Sequence, residues 1–323
     1  MLTVARYSDI VNSHIARIDY PSSPRGLYAP VEYSLEAGGK RIRPVLTLAV
    51  CDALCGNPLK AISQALGVEM FHNFTLLHDD LMDHSPLRRS RPTVYVKWDE
   101  RTAILSGDAM LTMAGMLMRG GNAHELDAAS LSTLLDLFDR TAMEVYEGQQ
   151  FDMEFESRKD VTVSEYMEMI RLKTSVLLGC ACRIGAIMAG ADEAVQTAMY
   201  RYGEQLGLAF QMQDDYLDTF GDEATFGKPI GGDILNEKKT WLLISAMHRA
   251  HGYALADALA LSQPAKKIDT VRSIYISLGL DKECREQVTF YSTQAINALP
   301  ESLSPEAREF FTELARNAET RAK

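Results

Sequence analysis

Two runs of the chain carry the same pattern of acids. His78-Asp79-Asp80-Leu81-Met82-Asp83 and, far downstream, Gln213-Asp214-Asp215-Tyr216-Leu217-Asp218 both read DDxxD. On a helix the first and last aspartates of each run stand one turn apart, and the second and last are three residues apart, so the acids share one stripe. Like charges at this spacing repel and raise one another's pKa. A hard divalent cation removes that conflict, and Mg²⁺ in particular takes one or two carboxylates, several waters and the phosphate oxygens of a substrate. The surroundings are apolar in both places: Phe71, Phe74, Leu76 and Leu77 precede the first run, and Leu206, Leu208, Phe210 and Met212 the second. One such run also reads as acids on a solvated turn. Two copies, each interrupting a helix that otherwise looks buried, read as metal sites.

The basic residues indicate what the metal would serve. Gly38-Gly39-Lys40-Arg41-Ile42-Arg43-Pro44 reads as a helix stop, a basic turn and a new helix with proline at its first position. A helix N-terminus beside Lys40 and Arg43 is a ready anion site. Arg88, Arg89 and Arg91-Pro92 form a cationic loop just after the first acid run, and Lys173-Thr174, Lys228 and Lys238 add isolated cations. Taken singly, each lysine reads as a surface charge. The chain as a whole is acidic, with 44 Asp and Glu against 33 Lys and Arg and a net charge of −11, which argues against nucleic acid held on a general basic surface. Local basic clusters in an acidic chain point to a diphosphate. His72 lies seven residues before Asp79 on the same stripe; by residue type alone it reads as a satisfied core histidine.

The elements that must position these groups read as helices. Apolar residues recur at spacings of three and four, as in Val45, Leu48, Ala49 and in Leu131, Leu134, Leu135, Phe138, and no run alternates strictly between turn residues. Prolines at 21, 24, 30, 86, 92, 300 and 305 mark candidate loops. With 46% apolar and 24% charged residues and no compositional break, the expectation is one all-α domain over residues 1–323. The apolar stretch Ser175 to Gly190 carries Arg183 and is shorter than a membrane span, so it reads as a buried helix. Five cysteines without a CxxC pair or a secretory leader fit a reduced, cytoplasmic compartment. Cys180 and Cys182 read as small core residues.

These motifs, taken in order, resemble those of the trans-isoprenyl diphosphate synthases, the head-to-tail polyprenyl synthases. The match runs from Gly38-Gly39-Lys40-Arg41-Ile42-Arg43-Pro44 through His72, the first acid run, Leu87-Arg88-Arg89, Arg91-Pro92-Thr93, Ser106-Gly107-Asp108-Ala109, Gly148-Gln149 with Asp152, Lys173-Thr174 and Gln211 with the second acid run, to Gly227-Lys228. The resemblance implies a helical bundle around a deep central cavity, a homodimer and three Mg²⁺ ions. It implies that Asp79, Asp83 and Asp214 bind metal directly, with Asp80, Asp215 and Asp218 supporting through water. Arg88, Lys173, Lys228 and Lys238 would hold an allylic diphosphate; Lys40, Arg43, His72 and Arg89 would hold isopentenyl diphosphate. Thr174 and Gln211, with Lys173, would flank the developing carbocation, and Gln149 and Asp152 would support them from one step away. The implied reaction is Mg-dependent head-to-tail prenyl transfer without a side-chain nucleophile or separate general base.

Product length falls, in this family, to the fourth and fifth residues before the first acid, here Thr75 and Phe74. On a helical wheel Thr75 lies on the Asp79 stripe and Phe74 on its flank, so the role of Phe74 rests on the resemblance. Roughly 7.5 Å of helix axis separates Phe74 from Asp79 at ~1.5 Å per residue, a depth suited to a short chain. The first acid run lacks the two-residue insertion common in bacterial short-chain members. The chain therefore looks most like a geranylgeranyl diphosphate synthase (C20), with a farnesyl (C15) product next and long polyprenyl products after it. Three alternatives remain at this point: a class I terpene cyclase, which shares DDxxD but would leave isopentenyl diphosphate untouched; a regulatory relative that has lost its metal acids, although both runs are intact here; and a purely structural helical protein.

Overall fold

Short polar signals decide where the helices begin and end. Asp99 accepts from the Thr102 amide at 2.8 Å, and Thr162 and Glu165 form a reciprocal capping box, so each start satisfies amides that have no partner within the helix. The computed structural model describes residues 1–221, 230–249 and 254–320. Its helices are α1 Val4–Ile15, α2 Arg25–Glu36, α3 Ile42–Cys55, α4 Ile62–Met82, α5 Val94–Lys97, α6 Glu100–Arg119, α7 Ala128–Ser157, α8 Val163–Ile170, α9 Val176–Ala189 and α10 Glu193–Phe220. They are followed by α11 Gly232–Leu235, α12 Trp241–Arg249, α13 Ala254–Leu259, α14 Pro264–Ser277, α15 Leu280–Ala298 and α16 Pro305–Thr320. The all-α expectation holds. Two compact units divide the chain: Met1–Phe138 with Ala181–Thr197, and Asp139–Cys180 with Ala198–Lys323.

In the first unit, α4 lies antiparallel along α6. The start of α4 caps the end of α6: Ser63 Oγ donates to Leu117 O at 2.7 Å, and the buried Gln64 amide donates to Met118 O at 3.1 Å and Gly120 O at 2.9 Å. At the other end, His78 of α4 packs onto Gly107 of α6 so closely that a Cβ there would meet its ring at 2.1 Å. Val45, Leu48, Val68, Phe71, Met110 and Met118 are almost fully buried, and each contributes about 1.5–3 kcal/mol by leaving water.

In the second unit a cluster of Tyr166, Met169, Met212, Trp241, Val271, Tyr275 and Val288 forms the core. Tyr202 Oη bonds Phe311 O at 2.8 Å, and Ser292 Oγ bonds Ala315 O at 2.9 Å, so these two buried hydroxyls are satisfied.

Several local expectations need correction. Pro44 is the third residue of α3, because Arg41 is the N-cap and Ile42 opens the helix; proline is tolerated there since the first-turn amides have no helical partner. Pro30 lies inside α2 rather than in a loop. A two-stranded antiparallel ladder, β1 Leu87–Arg88 and β2 Arg91–Pro92, stands where only a loop was expected; strands of two residues are too short to show alternation. The apolar stretch read as Ser175 to Gly190 belongs to a longer continuous helix, Val163–Ala189, long and apolar enough to cross a membrane by length and composition, and 78% of its apolar window is buried inside the protein.

Candidate functional site

The first acid run occupies the last turn of α4. Asp83 is the C-cap, and His84 follows in the left-handed region at φ 51°. The Ser85 amide reaches Asp80 O at 2.9 Å and the His84 amide Leu81 O at 3.3 Å, the paired bonds of a Schellman stop with histidine in the position glycine usually takes. Three carboxylates are thus set at the negative end of a helix dipole, where anions are least welcome. Burial pushes Asp80 up to about 6; Arg88 opposes the rise, and Asp79 and Asp83 reinforce it.

Arg88 answers that charge. Its Nε donates to Asp80 Oδ1 at 2.7 Å, and Nη2 lies 3.5 Å from Asp79 Oδ2. Arg89 and Ser90 form the turn between the strands with φ of 51° and 60°. Two left-handed residues in a two-residue hairpin are a type I′ geometry normally filled by Asn-Gly, so this turn is strained. The Arg89 guanidinium lies against Gly39: a Cβ there would come within 2.6 Å of it. Gly39 adopts φ 128° and leaves the space open, which brings the Lys40 turn beside the arginine hairpin.

The three residues of the basic turn differ sharply. Lys40 is exposed. Arg41 is buried, pairs with Glu69 at 2.5 Å and donates to Leu35 O at 2.6 Å and Asn12 Oδ1 at 3.1 Å, so it is a structural anchor. Arg43 Nη1 meets His72 Nε2 at 3.2 Å, while its buried Nε has no protein partner. Burial pushes Arg43 down to about 10, with Glu69 pulling the other way. Burial and the charges of Arg43, Arg89, Arg88 and Arg41 hold His72 well below its ordinary value. A neutral His72 accepts from Arg43 and is ringed by cations. Lys40, Arg43, His72 and Arg89 are therefore brought together around the first acid run.

Phe74 is buried, with its ring 4.8 Å from His78 and 5.6 Å from Phe71. Thr75 Oγ1 donates to His72 O at 2.8 Å.

In the second unit, the acids of α10 face a distortion in the backbone. Arg171–Ser175 forms a π-helical turn between α8 and α9, a widening frequently found at functional sites. Two glycines admit it: a Cβ at Gly148 would lie 2.2 Å from the Lys173 amide nitrogen, and one at Gly207 would lie 2.6 Å from Ser175 Cα. The turn presents Lys173 and Thr174 together. Lys173 Nζ pairs with Asp152 Oδ2 at 2.6 Å. Thr174 Oγ1 is 3.4 Å from Gln211 Oε1, and Gln211 Nε2 donates to Asp215 Oδ1 at 3.1 Å. Burial acts to raise Asp152, but Lys173 and Lys238 outweigh it and hold the carboxyl below its usual range. Gln149 is half-buried on α7 next to Gly148.

Asp215 is buried and accepts from the Tyr166 hydroxyl. Burial and Asp233 push it up to about 7, against the pull of Tyr166, Gln211 and Lys238. Asp218 Oδ2 accepts from the Asp233 amide at 2.9 Å, and burial with Asp218 pushes Asp233 up to about 6. Asp214 also acts on Asp233. Lys238 donates its amide to Asp233 O at 2.9 Å. Lys228 lies outside the described residues. Asp233 and Tyr166 were missed in the sequence; the signal for Asp233 is Gly231-Gly232-Asp233, a glycine-opened turn with a carboxylate at its end.

Both acid clusters have the chemistry of a divalent-cation donor set: crowded oxygens, with one buried carboxyl in each, Asp80 and Asp215, pushed up in pKa, a rise that a 2+ charge would reverse. Among the described residues no group of three or more His, Cys, Asp and Glu closes into a cage, so a metal here would draw further ligands from water and substrate, the habit of Mg²⁺.

Comparison with known proteins agrees with this geometry. A family model described as polyprenyl synthetase matches residues 24–278. The chain is 41% identical over 226 residues to the geranylgeranyl diphosphate synthase of Methanosarcina mazei, covering 70% of this chain and 69% of that one. It is 33% identical over 333 aligned positions to the geranylfarnesyl diphosphate synthase of Natronomonas pharaonis, covering 97% and 95%. Among solved structures it matches a crystal structure of geranylgeranyl pyrophosphate synthase with a TM-score of 0.92, 42% identity and 99% coverage of both chains. A family match across most of the chain, with the acid runs and basic clusters in place, means that this chain belongs to the polyprenyl synthetase family.

Proposed function

We propose that this prenyl transferase condenses isopentenyl diphosphate with an allylic diphosphate and releases a short-chain trans-prenyl diphosphate, C20 or C15, and pyrophosphate. The observation that carries the reading is the ring of cations about one acid run: Arg88 on Asp80, Arg89 against Gly39 beside Lys40, and Arg43 on a neutral His72. Three arginines and a lysine gathered there in an acidic chain are the complement of a polyanionic ligand.

Asp79, Asp83 and Asp214 would hold Mg²⁺, with Asp80, Asp215 and Asp218 supporting. Three such ions, when bound, neutralise charge growing on the diphosphate leaving group. Arg88, Lys173, Lys238 and Lys228 hold the allylic diphosphate; Lys40, Arg43, His72 and Arg89 hold isopentenyl diphosphate. The allylic C–O bond breaks with its electron pair leaving on pyrophosphate. The alkene of isopentenyl diphosphate gives its π electrons to the allylic carbon, and the new cation loses a proton to the released pyrophosphate. Thr174 and Gln211 turn their dipoles toward the cation, while Asp152 keeps Lys173 oriented and Gln149 supports the same face. Fixed donors need no reorganisation as charge develops, and the apolar residues before each acid run keep water from the cation. The growing chain runs beside α4 toward Thr75 and Phe74.

Residues 1–323 act as one all-α domain. A homodimer is supported by the apolar side chains that α6 leaves in water: Ile104 is 49% exposed, Leu105 60% and Met116 65%. Five cysteines free of disulfides support a cytoplasmic, reducing location.

The test is incubation of purified protein with isopentenyl diphosphate and each of dimethylallyl, geranyl and farnesyl diphosphate, followed by mass analysis of dephosphorylated products. A C20 or C15 alcohol is expected. Conversion of an allylic diphosphate to hydrocarbon with isopentenyl diphosphate untouched would make the protein a cyclase.

A further inference from the structure

The hairpin that carries Arg88 and Arg89 cannot hold its own shape. Each strand has two residues, paired Leu87 with Pro92 and Arg88 with Arg91, and even a full isolated hairpin is marginal in water. Its turn is strained as well, with two non-glycine residues at positive φ. The first strand is anchored on α4 through Arg88, which bonds Asp80 and faces Asp79; the turn that carries Arg89 and the second strand need an anchor of their own.

Tyr33 on α2 meets that need. Its hydroxyl donates to Pro92 O at 2.8 Å, on the second strand. The Arg91 guanidinium lies over its ring with Cζ 4.0 Å from the centroid, and Lys97 Nζ lies 3.7 Å from the same centroid. Trp98 packs its edge on Tyr33 with centroids 5.2 Å apart. One side chain thus grips the hairpin by a carbonyl and a guanidinium, and gathers the residues that follow it in the chain. Two cations that would repel are shared by one ring face system, which favours both. Tyr33 also lines, with Asp80, Arg88, Arg89 and Arg91, a cavity of about 40 Å³ beneath the hairpin, so the tether acts on the part of the hairpin next to the acid run.

The geometry points to Tyr33 as the positioning residue of the arginine hairpin, setting the affinity for isopentenyl diphosphate without touching it. This rests on the proposed reading of Arg89 as a ligand of that diphosphate. Arg89 lies in the turn and makes no side-chain hydrogen bond or ion pair among the described residues; its place comes from the turn, which is held on one side by Arg88 on Asp80 and on the other by Tyr33 on Pro92. Loss of the tether therefore weakens ground-state binding more than chemistry, and it appears in KM before kcat.

Tyr33→Leu removes both hydroxyl and ring at similar volume, and Tyr33→Phe removes the hydroxyl alone. In steady-state assays Tyr33→Leu is expected to raise KM for isopentenyl diphosphate ~10-fold or more, with Tyr33→Phe in between and kcat within about threefold of the parent, the scale of a cation–π contact plus one hydrogen bond. A KM within twofold of the parent in Tyr33→Leu, or a fall in kcat with KM unchanged, would overturn the proposal. Amide hydrogen exchange over residues 86–93 gives a readout that needs no turnover: it should quicken at least ~10-fold in Tyr33→Leu and less in Tyr33→Phe, as local openings become easier. Unchanged exchange there overturns the tether. A parent protein that leaves isopentenyl diphosphate untouched would instead refute the reading of the site, with the exchange data still deciding whether Tyr33 holds the hairpin.

Discussion

The backbone of Lys173 fills the space a side chain at residue 148 would need: a Cβ on Gly148 would stand 2.2 Å from the Lys173 amide nitrogen and 2.7 Å from its Cα. Those neighbours are main chain and cannot rotate aside. Gly148→Ala must therefore push α7 away from the π turn and move Lys173 relative to Asp152. Overpacking of this kind costs about 1–3 kcal/mol, and an ångström of displacement at reacting groups costs on the order of 100-fold in rate. Denaturant unfolding and kcat should both fall in Gly148→Ala. Activity at the parent level would show that the close approach is irrelevant.

The proposed role of Phe74 in product length gives a second prediction. Its ring is buried between Phe71 and His78, five residues before Asp79, and Phe74→Ala would open space beside α4, along the proposed path of the growing chain. The main product should lengthen by at least one isoprene unit, at a stability cost of about 3–5 kcal/mol for truncating a buried ring. Mass analysis of the alcohols reads the first effect and thermal unfolding the second; a product of unchanged length contradicts the assignment.

His72 should make folding acid-sensitive. Burial and the surrounding arginines depress its pKa in the folded state, so below about 6.5, the value of an unperturbed histidine, the unfolded chain binds a proton that the folded chain refuses. Stability then falls as pH drops, by up to about 1.4 kcal/mol per pH unit from this group. His72→Gln removes the term. Urea unfolding at pH 7.5 and 5.5 should show the parent losing more stability than the variant, and equal losses would place a charged histidine in the fold.

Glu69 tests the anchor beneath the basic turn. It accepts from Arg41 at 2.5 Å and from Asn73 Nδ2 at 3.0 Å, with both charged side chains buried. Glu69→Leu leaves the Arg41 charge buried without its counterion, at a cost of about 3–5 kcal/mol. Glu69→Leu with Arg41→Met should recover much of it. A single variant as stable as the parent would mean that Arg41 is not held by charge.

What could be read from residue order follows from how each feature is encoded. The acid runs were legible because charge at a fixed spacing inside apolar helices is a one-dimensional signal. Gly38 to Pro44 was legible as a basic turn with Lys40 and Arg43 as its anion ligands, but nothing marked Arg41 as an anchor; Glu69 and Asn12, distant in sequence, together with Leu35, turn it inward. The π turn at Arg171–Ser175 has no periodic signature, since one extra residue hardly shifts a run of apolar side chains; Gly148 and Gly207 were its only trace. Asp233 was passed over because it lies fifteen residues beyond Asp218, outside any DDxxD pattern, and joins the site through a backbone amide. Tyr33 belongs to no motif, and its role is visible only in space, where Arg91 and Lys97 lie on its ring.

The most direct test of the account is metal-dependent condensation itself. Farnesyl diphosphate and labelled isopentenyl diphosphate would be given to the parent protein in Mg²⁺ and in EDTA, and to Asp79→Asn and Asp214→Asn in Mg²⁺, with transfer of label into an allylic product followed. The account predicts incorporation by the parent in Mg²⁺ alone and a fall of at least ~100-fold in each variant, the scale of losing transition-state charge stabilisation. Label that stays in isopentenyl diphosphate under every condition, or incorporation at the parent rate in EDTA, would contradict it.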